Sequence, residues 1–149
     1  MLFLPTHVPS SKNSRRCIGN KAIASKYTTA YIKTTQWLYI QQRNRFKAHL
    51  LGLTPPYFVE FHFGRDSNRR FDFINALQIV QDCMVRHEWL EDDNTNILVP
   101  LPMISEGKCH HLFPEKPGVW INVLKPSLQE PLVLSRYPWE HLIAVAQGV

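Results

Sequence analysis

The first 59 residues contain no Asp or Glu. They carry nine cations: Lys12, Arg15, Arg16, Lys21, Lys26, Lys33, Arg43, Arg45 and Lys47. The other 90 residues hold eight Lys or Arg against all 12 acids, a net charge of −4. A basic part joined to an acidic part predicts a polyanion-binding surface next to something that needs carboxylates. Charge alone fits equally well a basic domain whose cations are only solvated. Cysteine is scarce. Cys17, Cys83 and Cys109 are odd in number and have no paired spacing, which argues against a disulfide framework and fits a reducing compartment. No apolar run approaches the roughly 18 residues that span a bilayer, so no membrane partner is expected. The opening MLFLPTHVP lacks a basic segment ahead of an apolar one, so no secretory leader is expected either.

A length of 149 residues suits one domain with one core, and 44% hydrophobic with 11% aromatic residues is ordinary for a folded protein. MLFLP reads as a short strand, VPSSKNSRRCIGN as a loop and KAIAS as another short strand. A long helix is predicted from a Ser25 cap to Leu51, on the spacing of Tyr27, Ala30, Tyr31, Trp37, Leu38 and Phe46. GLTPP ends it. YFVEFHFG (57–64) is a strand with Phe58, Glu60 and His62 on one face and Tyr57, Val59, Phe61 and Phe63 on the other. A second helix runs from about Asp72 to His87. NILVPLPM (96–103) is a strand whose prolines suit an edge, and GVWINVLK (118–125) is another strand. In the tail, the segment from Trp139 through Ala146 can form a short amphipathic helix. The fold class expected is α+β, a mixed sheet with two main helices.

RRFDFINALQIVQDCMVRHEWLEDD (69–93) is the informative stretch. On a helical wheel Phe73, Ala76, Leu77, Val80 and Met84 gather on one side. Asn75, Ile79, Asp82 and Arg86 gather with Asp72 on the other. Asp92 and Asp93 follow Trp89–Leu90 in a turn that can bring them back towards this helix. Carboxylates drawn together repel unless a divalent cation lies between them, and hard oxygen ligands suit Mg²⁺ or Mn²⁺. Such an ion suits phosphodiester hydrolysis. The competing account makes Asp72 and Asp92 helix caps, with Asp82 and Asp93 solvated.

RRFDFINALQIVQD followed by WLEDDN resembles the RusA family of Holliday-junction resolvases. That family has an Arg-rich strand end, an Asp opening a helix with an Asp-Asn pair soon after, a later helical Asp and a final Asp-Asp pair. VPSSKN with SKYTTAYI is similar to its first loop and helix, and PGVWINVL to its last strand. The resemblance covers residues 3–125. It leaves 126–149 as an extension beyond a domain at 1–125. It implies Mg²⁺-dependent cutting of four-way DNA junctions by a homodimer, in a bacterial cytoplasm and encoded by a phage or prophage. It implies Asp72 and Asp93 as principal metal ligands, Asp92 and Asp82 as direct or outer ligands, and Asn75 as a further member of the site. The chain departs from the pattern at Ile74, where the family usually has an acid, and at Gln78, where it usually has a lysine. Either the site is rebuilt from the remaining acids, or the protein binds junctions and cuts them poorly. A broader flap or fork nuclease is a third possibility.

Lys12, Asn13, Arg15, Arg16 and Lys26 are the expected DNA-backbone contacts, joined by Arg69 and Arg70 beside the acids. Cys109-His110-His111 lacks a second ligand pair at zinc-finger spacing. His62 is expected to pack rather than to face the site, and Trp37 and Trp89 to lie in the core or an interface rather than to stack on bases.

Overall fold

The computed structural model describes residues 1–9, 15–18, 21–24, 26–125 and 136–148, with the backbone alone for 15–18 and 21–24. β1 (Leu2–Leu4) is followed by a hairpin of β2 (Arg15–Ile18) and β3 (Lys21–Ala24), paired Arg15 to Ala24 and Ile18 to Lys21. The sequence placed β2 inside a loop. α1 (Lys26–Leu50) is the long helix, within one residue of its expected bounds at each end. The Ser25 cap lies outside the described residues. Gly52, at φ 79°, follows α1 in the left-handed region that suits glycine.

β4 (Tyr57–Arg65), α2 (Phe73–Arg86) and β5 (Leu98–Pro102) form a parallel strand–helix–strand unit, with Tyr57 opposite Leu98 and Phe61 opposite Pro102. β6 (His110–Leu112) continues along the same edge of β4, and β7 (Gly118–Val123) runs antiparallel on its other side. β1 closes that side against β7. Among the described residues the sheet therefore has five strands in the order β1-β7-β4-β5, with β6 beside β4. It is mixed, and the fold is α+β. β5 is an edge strand, where Pro100 and Pro102 remove no needed ladder donor.

The alternation along β4 and β7 divides the core. Val59, Phe61, Phe63, Val119 and Ile121 face α1 and α2, where they meet Tyr39, Phe46, Leu77, Val80 and Met84. Trp120 and Phe3 face the other way, towards α3 (Trp139–Gln147), which buries Leu142 and Ala146 there. Trp120 Nε1 donates to Leu142 O at 2.7 Å. The end of the expected extension thus covers a sheet face. That cover is why Glu60 and His62, on the face opposite Val59 and Phe61, are also fully buried. No described helix is long and apolar enough to cross a membrane.

Candidate functional site

Asp72 is the N-cap of α2. Its backbone is extended, and its Oδ1 accepts from the Asn75 amide at 3.3 Å. A carboxylate there satisfies an otherwise unpaired helix N–H and lies at the positive end of the helix dipole. The side chain is exposed, as are Arg69 and Arg70 in the loop before it. Asn75 is half-buried, and Ile74 is 68% exposed.

Asp82 lies ten residues along α2, about 15 Å further on at 1.5 Å per residue. Between them Ile79 is buried, so the wheel face that was expected to be polar is interrupted by a core residue. Asp82 and Asp93 instead line one open cleft of about 390 Å³, together with Ile32, Cys83, Val85 and Arg86. Asp72 is not part of that lining.

The turn carrying Asp93 is held from below. Trp89 is buried against Phe46, with ring centroids 4.8 Å apart, and its Nε1 donates to Tyr39 O at 2.8 Å. Leu90 is buried beside it. Arg43 of α1 pairs with Glu88 at 2.7 Å, and Glu88 takes φ 60°, turning the chain back from α2. Trp89 and Leu90 plug the turn into the core, so Asp92 and Asp93 stay at the surface.

Asp92 is committed within that turn. Its Oδ2 accepts from Asn94 Nδ2 and its Oδ1 from the Asp93 amide, both at 2.7 Å. Asn94 first and then the Asp93 amide hold this carboxyl below its ordinary range. Asn94 Oδ1 in turn accepts from the Asn96 amide at 2.9 Å.

The expected ligand trio of Asp72, Asp92 and Asp93 is therefore spread over three different settings. Among the described residues no three His, Cys, Asp or Glu side chains come together as a group able to hold an ion. Mg²⁺ typically takes one or two protein carboxylates, with waters and substrate phosphate filling its octahedron. Of the expected acids, Asp82 and Asp93 share one cleft, which Arg86 also lines.

Lys26 is exposed at the start of α1, with Nζ 5.2 Å from the Tyr27 ring centroid. Arg15 and Arg16 are on β2, and Lys12 and Asn13 lie outside the described residues. Trp89 is core as expected, whereas Trp37 is 59% exposed.

Sequence reasoning missed a polar network under α3. His62 Nδ1 donates to Met103 O at 2.9 Å, and His62 Nε2 meets His111 Nδ1 at 3.0 Å. His111 stacks on Trp139 with centroids 4.4 Å apart. Glu60 accepts from Asn122, which also donates to Tyr137. The available signal was Glu60 and His62 sharing one strand face.

No protein-family model matches the chain, and no curated protein matches it.

Proposed function

We propose that the protein is a structure-selective endonuclease of the RusA type, cutting four-way DNA junctions as a homodimer with Mg²⁺. The observation that carries this reading is the shared cleft of Asp82 and Asp93, one carboxylate from a helix and one from an anchored turn, with Arg86 beside them. Asp93 and Asp82 would hold the ion, which supplies Lewis-acid stabilisation of the phosphodiester and an activated water. Arg86 binds phosphate at the cleft. Arg69, Arg70 and the acid-free N-terminal third hold the DNA backbone around it. A near-two-fold junction suits a C2 dimer, which sets one cleft on each of two opposed strands. A bacterial cytoplasm with a phage or prophage origin belongs to the same proposal.

One observation favours a second reading, a junction-binding protein that does not cut. Ile74 is exposed at the first turn of α2, where the family pattern has an acid, and no three-acid cluster forms among the described residues.

A labelled synthetic four-way junction, incubated with and without Mg²⁺, separates the two. Paired symmetric nicks that need Mg²⁺ and vanish in Asp93→Asn, with junction binding kept, support the endonuclease. Binding without nicks from the wild-type protein supports the second reading. Equal cutting of flaps and forks points to a broader nuclease. Cutting at the wild-type rate by Asp93→Asn sinks the proposed ion site.

A further inference from the structure

The solvent side of α1 is not a polar helix surface. Trp37 is 59% exposed and Ile40 is 56% exposed. On the helical wheel Ala30, Lys33, Trp37, Ile40, Asn44 and Lys47 fall along one outward stripe, opposite the buried row of Thr28, Tyr31, Thr35, Leu38 and Phe46. Isolated exposed apolar residues are ordinary, but an indole and an isoleucine three residues apart form a patch.

Trp37 also forms one wall of an open groove of about 310 Å³ that runs from α1 to β1 and the end of α3. Phe3, Gln41, Arg45, Lys116 and Gln147 line it with Trp37, and among the described residues no carboxylate side chain does. Lys116 is fixed at the edge, donating to Ala146 O at 2.6 Å and lying 5.8 Å from the Phe3 ring centroid. Among the described residues neither Arg45 nor Lys116 is in an ion pair. The groove therefore combines flat aromatic surface, two cations and side-chain amides.

Charge selects the occupant. A second copy docked through this stripe would set Lys33 and Lys47 of both helices together, and α1 has no acid to offset them. A polyanion with flat apolar faces fits both halves of the surface. Nucleic acid has that chemistry, and only unpaired nucleotides present their base faces.

We propose that the Trp37 face of α1 and its adjoining groove bind unpaired nucleotides, with the indole stacking on a base and Arg45 and Lys116 meeting the flanking phosphates. The proposal rests on the reading of the protein as a branched-DNA binder and extends it. The acid cleft, bordered by Ile32, and this groove, bordered by Gln41 and Arg45, lie on opposite flanks of α1.

The test uses the full chain with two fluorescein-labelled probes, a 15-residue oligo-dT and a synthetic four-way junction, read by anisotropy. Trp37→Ala is expected to weaken oligo-dT binding about tenfold, and Trp37→Phe to weaken it much less, as loss of one stacked base predicts. Arg45→Gln and Lys116→Gln should each lower the salt slope by about 0.7 on the single strand. Unlabelled oligo-dT should quench tryptophan emission in the wild type and lose most of that quenching in Trp37→Ala. Wild-type affinity for oligo-dT in Trp37→Ala, with the junction still bound, overturns this proposal and leaves the DNA reading standing. Failure of the wild-type protein to bind either probe overturns both. A change in sedimentation from dimer to monomer in Trp37→Ala, with unaltered oligo-dT affinity, makes the face a contact between copies and overturns the proposal. So does displacement of oligo-dT by poly-glutamate at matched charge concentration, which would mark an acidic peptide as the occupant.

Discussion

His62 and His111 stand in a row of acceptors that outnumbers their protons. The gaps are three: Met103 O to His62 at 2.9 Å, His62 to His111 at 3.0 Å, and His111 Nε2 to Glu106 Oε2 at 3.4 Å. Two neutral imidazoles bring two N–H groups. The carbonyl must receive one and the inner gap takes the other, which leaves His111 Nε2 bare towards Glu106 and without a hydrogen bond. The tautomers follow from the partners. Burial is the main reason both rings titrate below the usual histidine range, His62 at about 4, and Glu106 opposes it at His111. A ring whose folded pKa is depressed favours the fold while neutral. Its contribution is complete above about pH 6.5 and is lost as pH falls from there through about 4. The thermal midpoint should therefore drop across that window, and the drop should be shallower in His62→Gln. An equal slope in wild type and variant would show that His62 takes up its proton alike in the folded and unfolded states. Little of this row was legible in advance. His62 was expected to pack, but its partners lie 41 and 49 residues away and are brought to it by β6 and the strand ends.

Helix α2 shows what periodicity reveals and where it stops. Ala76, Leu77, Val80 and Met84 are buried as the 3.6-residue period predicts. Ile79 is buried as well, because α2 shares one core with both α1 and the sheet and needs an apolar stripe wider than a single seam. In α1 periodicity revealed the helix but not its inner side: among the residues on whose spacing it was predicted, Tyr27 and Trp37 are exposed. The buried side of α1 is built partly from polar residues whose groups are satisfied locally. Thr35 Oγ1 donates to Tyr31 O at 2.7 Å, and the Tyr31 and Tyr39 hydroxyls are 3.0 Å apart. At the start of α2 the expected site residue Asp72 is also the helix cap, so the choice of variant matters. Asp72→Ala should cost about 1 kcal/mol of stability in a denaturant titration, whereas Asp72→Asn, which caps as well, should cost little. Only the Asn variant tests catalysis cleanly. Ile74 is open to solvent, so Ile74→Asp adds a carboxylate near Asp72 without a core penalty. With the ion held by Asp82 and Asp93, about 15 Å further along α2, the Mg²⁺ concentration needed for half-maximal rate should stay unchanged. A lowered Mg²⁺ requirement would bring the N-terminus of α2 into the ion site.

Across the whole molecule, α1 separates two surfaces, with the Asp82 and Asp93 carboxylates on one flank and the Arg45 and Lys116 cations on the other. The N-terminal cations Lys12, Arg15 and Arg16 should add to the same DNA-binding field. Replacing all three with Ala should weaken binding of every junction sequence alike. The log–log salt slope should fall by up to about one unit for each phosphate no longer neutralised. A slope equal to that of the wild type would move the backbone-binding surface elsewhere. The α+β class was legible because each main strand carries its own β-branched and aromatic run. The return of the Asp93 turn towards α2 was expected too, but its seating by Trp89 on Phe46 was not legible, because that contact joins the turn to α1 across the core. The pairing of β1 with β7 has a further consequence, for synthesis. Leu2–Leu4 find their partners at Val119–Ile121, more than a hundred residues later. At ribosomal speed a growing chain carries that apolar strand unpaired for on the order of ten seconds. The strands it must join cannot be covered until Leu142 has been added and α3 can dock on Trp120. Folding is therefore completed after most of the chain has emerged. In that interval the nascent protein presents an open apolar edge, to which chaperones or a neighbouring nascent chain have access.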